Sequence, residues 1–210
     1  MEKNNSKIVA VVALVVAVVA LSVGFATFSA TLTITNTSAA INPTNTFTTN
    51  VKYAANSVSC TTTGAAVVSN SGTLTDTAWN GVAITLKAPG DKATCTANIS
   101  NLSSFVAYLR EINTATALSC SALAGSNAAS AANVTAVCNA LSLVVTVGTD
   151  SATATASAAG SAVVSGTTNK IATSGTQAVK FELIYASGSQ PADGDITVNV
   201  PQMNVIYKTA

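Results

Sequence analysis

The chain contains no histidine. That single absence removes Ser-His-Asp and Cys-His catalysis, His-based zinc sites and the HExxH metalloprotease motif. Charge is scarce as well: charged residues make up 8 % of the 210 positions, and the net charge is +1. A nucleic-acid binder needs a basic patch or stripe, so no nucleic-acid partner is expected. Aromatic residues reach only 5 %. The carboxylates Glu2, Asp76, Asp91, Glu111, Asp150, Glu182, Asp193 and Asp195 are scattered, and only the last two lie close in sequence. No enzyme, metal or cofactor is expected from this inventory. What remains is apolar: 49 % of the chain, with positive mean hydropathy. Disordered segments combine low hydrophobicity with high net charge, and this chain has neither. Its wealth of Thr, Ser, Asn, Ala and Val suits a secreted β-protein.

The N-terminus organises the rest. A polar head with Lys3 and Lys7 leads into an apolar, uncharged run from Ile8 to Phe28. Head, apolar core and small residues near its end match a secretory signal peptide over 1–26, with Gly24 and Ala26 ahead of the cut. The run is also long enough to span a bilayer, so retention as a membrane anchor is the other reading. A type IV pilin, with its apolar helix kept in a filament core, would need a small residue before the cut and a Glu after it. Ser6-Lys7-Ile8 supplies neither Gly nor Glu.

Directly after this run, Thr31-Leu32-Thr33-Ile34-Thr35 alternates polar and apolar residues, the period of a strand with one apolar face. Asn36–Asn45 follows as a Thr/Asn/Ser-rich tether, and 46–210 reads as the domain. Strands are expected at Phe47–Tyr53, Ala65–Ser69, Val82–Ala88, Ala93–Ser100, Phe105–Ile112, Leu141–Val147, Ala152–Ala156, Val163–Ser165, Val179–Tyr185 and Ile196–Tyr207. Turn formers such as Asn80-Gly81, Pro89-Gly90-Asp91 and Asp193-Gly194-Asp195 separate them. Many short strands between such turns mean an all-β sandwich or barrel. Ile84 and Leu86 share one face. Val179, Phe181, Leu183 and Tyr185 face in, while Lys180 and Glu182 face out. Pro201 should bend the last strand or place it at an edge, with the strand resuming at Met203. Ala-rich Ser121–Ala140 reads as a short helix or compact loop.

The chain has four cysteines, Cys60, Cys95, Cys120 and Cys138, none in CxxC spacing. Behind an export signal, an even number of scattered cysteines implies disulfides in an oxidising compartment. Of the three possible pairings we favour Cys60–Cys95 and Cys120–Cys138, because each brackets one excursion of the chain.

Three stretches resemble a known family. Gly24-Phe25-Ala26-Thr27-Phe28-Ser29 is similar to the signal-peptide ends of the TasA/camelysin family. Lys87-Ala88-Pro89-Gly90-Asp91 with Lys92–Asn101 resembles a strand–turn–strand pattern of bacterial surface proteins. Asp193–Pro201 is similar to the last strand of such exported proteins. The resemblance implies a jelly-roll β-sandwich and a role as subunit of extracellular matrix fibres, built by donation of a strand into the next subunit. The camelysin name carries a protease association, which a chain without histidine or a metal-ligand cluster does not support. This chain is poorer in charge and richer in cysteine than the pattern.

On that reading the donor strand is Thr31, Leu32, Thr33, Ile34 and Thr35, the partner is another copy of the chain, and the membrane is met only through the N-terminal segment before cleavage. Each of Leu32 and Ile34, once buried in a neighbour, contributes about 1.5–3 kcal/mol. Deleting Thr27–Thr35 should then leave a folded, soluble monomer. The other reading makes this ribbon the first strand of its own domain, in a secreted or tethered binding module that does not polymerise. Lesser candidates are a calcium site or simple turn roles for Asp91, Asp193 and Asp195. Trp79 and Tyr108 mark either a carbohydrate face or the core, and Asn36, Asn98, Asn101 and Asn133 stand in glycosylation sequons.

Overall fold

The computed structural model describes residues 29–34, 46–125 and 127–209. The signal or anchor segment 1–26, the tether and Thr35 lie outside the described residues. The early elements are β1 (Ser29–Ile34), α1 (Thr46–Asn50), β2 (Val51–Tyr53), β3 (Ser59–Thr63), β4 (Val67–Leu74), β5 (Ala78–Thr85), β6 (Lys92–Asn101), β7 (Ala107–Thr114) and β8 (Ser119–Ala122). They are followed by α2 (Ala131–Asn139), β9 (Leu141–Val147), β10 (Asp150–Thr155), β11 (Ser161–Val163), β12 (Lys170–Ile171), β13 (Thr176–Tyr185), β14 (Ile196–Asn199) and β15 (Met203–Lys208). The protein is all-β, as its composition and turn spacing led us to expect.

One sheet runs β11-β7-β15-β1-β5-β4, with β12 also on β7. The other runs β10-β9-β13-β6-β2, with β3 also on β6. Period-2 alternation builds both. Along β6, Ala93, Cys95, Ala97, Ile99 and Asn101 are buried and their neighbours half-buried. Along β13, Val179, Phe181, Leu183 and Tyr185 are buried, as expected, and Lys180 and Glu182 point outward to pair with each other. The buried faces meet in one core, where the Trp79 ring of β5 lies 5.0 Å from the Phe181 ring of β13. The structure therefore assigns Trp79 to the core, fully buried, with its indole N–H donating to the Ser71 carbonyl at 2.8 Å. Tyr108 is half-buried, with the Arg110 guanidinium over its ring.

Both disulfides form as paired above, Cys60–Cys95 and Cys120–Cys138. The first joins directly opposed residues of β3 and β6. The second ties β8 to α2, so the Ala-rich stretch does contain a pinned helix. Ser130 caps that helix, its hydroxyl accepting from Asn133 N–H. Two expectations change and one is sharpened. Phe47–Tyr53 starts as a helical turn because Phe47 is drawn into the core, leaving only Val51–Tyr53 as strand. The last strand breaks in two at Pro201, which lacks a backbone donor. Strands β3, β8 and β12 were not anticipated: β3 and β8 are short Ser/Thr/Cys-rich segments without apolar alternation, and β12 is only two residues long.

β1 occupies the interior of its own sheet. It runs antiparallel to β15, from Ser29 opposite Lys208 to Ile34 opposite Met203. On its other side it is parallel to β5, at Thr33 with Ala78 and Ile34 with Trp79. Within one chain the ribbon is thus an intramolecular strand, and donation to a neighbour requires it to leave this place. Deleting Thr27–Thr35 opens the middle of a sheet, so a folded soluble monomer no longer follows from that deletion.

The Pro-Gly-Asp turn is held by its carboxylate. Asp91 is buried; one oxygen accepts from the Ala65 N–H at 2.7 Å, the other from Lys87 and Ala88 N–H at 2.7 and 3.0 Å. Gly64, at φ +74°, lies against that carboxylate, and a side chain there would collide with it. Burial pushes the Asp91 carboxyl up, but the three backbone N–H donors and the Lys87 charge outweigh it and hold it below the ordinary carboxylate range. A depressed folded-state pKa gives stability that is present above the unfolded value and lost as pH falls through the folded one. Asp91→Ala, which strands three donors, is expected to lower unfolding free energy at neutral pH by about 2–3 kcal/mol. Denaturant titrations at neutral and acid pH check this: the gap between wild type and variant should shrink as the pH drops below about 4.

Candidate strand-acceptor groove

The β14–β8 ribbon is the continuation of the β15–β7 ladder. Met203 faces Thr114 in one, Asn199 faces Ser119 in the other, and Pro201 interrupts between them. The place occupied by β1 therefore lies in a longer slot, with β5 along one side and β15 then β14 along the other. β1 fills the half beside Met203–Lys208. The other half is a cavity of about 770 Å³.

Its side walls are built by alternation. Val82, Ile84 and Leu86, on β5 and just past it, line one wall; Ile196, Val198 and Val200, on β14 and just past it, line the other. Phe181 and Leu183 of β13, in the opposite sheet, also line it, as does Val137 of α2. Among the described residues, no strand lies beside the β5 edge from Gly81 to Thr85 or beside the outer edge of β14. Open strand edges with apolar side chains on alternate positions suit an extended peptide, which supplies main-chain hydrogen bonds and alternate apolar side chains. The β14 wall is anchored at both ends. Asp193 accepts from the Ser130 N–H and hydroxyl at 3.1 and 2.7 Å, Asn133 accepts from Asp193 N–H at 3.0 Å, and β8 carries the Cys120–Cys138 bridge.

The residues expected to act are brought together only in part. Thr31, Leu32, Thr33 and Ile34 lie in β1, at the mouth of this groove, whereas Thr35 is outside the described residues. Cys60 and Cys95 lie in the opposite sheet and do not line the groove; Cys120 and Cys138 brace its wall. Asp91 and Asp193 spend their oxygens on N–H and O–H donors in turn and cap roles, and Asp195 neighbours the groove without a cluster around it. Among the described residues, no group of three or more His, Cys, Asp or Glu converges. Nor is any helix among them long and apolar enough to cross a membrane. Of the sequons, Asn36 is outside the described residues, and Asn101 and Asn133 are buried with their amides donating to the carbonyls of Phe105 and Pro191. A glycan has access to neither in the folded chain. The groove itself escaped the sequence reading. Ile84–Leu86 and Ile196–Val200 were legible as apolar strand faces, but only the fold reveals that the two faces line one space.

The architecture is that of an all-β, disulfide-bridged protein whose apolar groove continues the place of its first strand. No family model, curated protein or solved structure matches the chain.

Proposed function

We propose that this protein is a structural subunit of an extracellular fibre, joined by donation of its N-terminal strand, Thr31–Thr35, into a neighbouring copy. The observation that carries the reading is the position of β1. It sits between two strands far from it in sequence, and it is joined to its own domain only through residues 35–45. A neighbour's β1 satisfies the same register with β15 and β5. Exchange of an identical element costs little, because the contacts broken are remade elsewhere, and a head-to-tail contact that does not close gives a filament. We read the two sheets as a jelly-roll-like sandwich, the fold implied by the resemblance to matrix-fibre proteins. Two disulfides and the apolar N-terminal run support export to an oxidising, extracellular or cell-surface location. The copies of the chain are then its partners, and no catalysis is assigned.

A second reading, a tethered or secreted binding module that does not polymerise, is favoured by the groove, whose volume of about 770 Å³ falls within the range of small-molecule pockets. A cross-link separates the two. Thr31 and Ile206 are direct partners across β1 and β15. In the Thr31→Cys/Ile206→Cys variant, fibre assembly by exchange should yield a covalent ladder on non-reducing gels. A purely monomeric band, with the new bridge mapped inside one chain, would rule exchange out.

A further inference from the structure

We infer that in the exchanged assembly the groove between β5 and β14 is filled by Thr35–Ile41 of a second copy, following that copy's β1 as one long strand. The inference rests on the exchange reading and adds the identity of the segment that the groove receives.

The length of chain available decides whose segment it is. β1 leads into the groove at Ile34, level with Trp79 and Met203. The next described residue is Thr46, the first of α1. That helix does not lie along the groove. Its Asn50 carbonyl accepts from Leu102 N–H, Val51 pairs with Asn101, and Tyr53 N–H reaches the Asp76 carbonyl in the turn ahead of β5. A straight run from Ile34 to Ile41 advances roughly 23 Å at strand rise. The steps left from Ile41 to Thr46 span at most about 18 Å when fully extended. A chain that traverses its own groove would have to come back to the level of β1 and Asp76, where α1 runs into β2, over fewer residues than it used going out. A chain arriving from another copy has no such obligation, because its α1 belongs to a body beyond the groove.

The pattern of faces agrees. On β5, Ala78 and Trp79 are both buried; past Gly81, whose φ is +74°, all of Val82–Lys87 border the cavity, and the half-buried large apolar residues are Val82, Ile84 and Leu86, of opposite parity to Trp79. Opposite, buried Met203, Val205 and Tyr207 give way to Val200, Val198 and Ile196, a change of parity around Pro201. Both flanks switch at the same level. The ribbon's apolar residues are Ala30, Leu32 and Ile34, then Ala39, Ala40 and Ile41, so its largest apolar side chains pass from the even positions 32 and 34 to the odd position 41. Carried forward in the β1–β15 register, Thr37, Ala39 and Ile41 fall opposite Val200, Val198 and Ile196. Each of the three brings a methyl group to an apolar wall, while Asn36, Ser38 and the small Ala40 fall on the alternate face.

Hydrogen exchange on the full mature chain, monomeric and assembled, tests this alongside the Thr31→Cys/Ile206→Cys cross-link. The expected result is an interchain cross-link together with at least tenfold slower exchange, on assembly, in peptides covering Val82–Thr85, Thr197–Asn199 and Thr35–Ile41. An interchain cross-link without slowing at those edges leaves exchange standing and overturns the inference. Slowing at the edges but not in Thr35–Ile41 means another occupant, and overturns it too. A cross-link found only within chains removes the exchange reading and this inference with it. As a second variant, Ile41→Asp should cut the assembled fraction at least tenfold while Asn42→Asp leaves it unchanged; equal assembly of both overturns the inference.

Discussion

Trp79→Ala is expected to lower unfolding free energy by about 3–5 kcal/mol, the range for deleting a large buried aromatic. The indole is fully buried, touches Phe181 across the two sheets and donates to the Ser71 carbonyl of β4. Its loss leaves a hole between the sheets and an orphaned carbonyl at once. Trp79 also lines the groove and is the β5 partner of Ile34, so the hole opens where β1 ends. Trp79→Phe keeps most of the volume but not the indole N–H, and should cost clearly less. Chemical denaturation followed by far-UV circular dichroism checks both. A loss below about 1 kcal/mol for the alanine variant would contradict the placement of this side chain, because such a loss is no larger than that of an ordinary surface change.

Removing Cys60–Cys95 as the double alanine variant should cost about 4 kcal/mol in the chain-entropy model, given a sequence separation of 35. Removing Cys120–Cys138, with a separation of 18, should cost about 3 kcal/mol. The two differ more in kind than in size. The first bridge joins β3 to β6 inside one sheet, away from the groove, so under conditions where the variant stays folded its assembly should match wild type. The second braces β8, which carries β14, so, on the fibre proposal, its loss should impair assembly beyond what stability alone explains. Measuring Tm and filament yield on both variants separates these outcomes, and equal assembly at equal Tm would deny the second bridge its role.

The fold was legible where side chains alternate over a long stretch. β6, β9 and β13 bury every second residue, and that pattern stands in the sequence without ambiguity. The cysteine pairing was legible because each pair brackets one excursion. β3 was hidden for the opposite reason: Ser59–Thr63 has no apolar face and is held by ladder pairing and one bridge. The start of Phe47–Tyr53 misled because a lone Phe47 packs equally well from a helical turn. For the site, the ribbon Thr31–Ile34 announced itself by its alternation, but its neighbours did not. Pairing with β15, which comes from the far end of the sequence, is a non-local event that local pattern does not encode. The Asp91 carboxylate likewise reads as a plain turn residue until Ala65 is brought beside it.

β1 lies antiparallel to β15 and parallel to β5, so its first and last residues aim at opposite poles of the molecule. If subunits join by the strand exchange proposed above, a row of them has two unlike tips. At one, a slot whose own ribbon has been given away awaits an incoming one; at the other, a ribbon is left without a host, because its own slot already holds its neighbour's. Elongation would be vectorial, with arriving subunits adding at different rates to the two tips, and capping one tip would halt growth there alone.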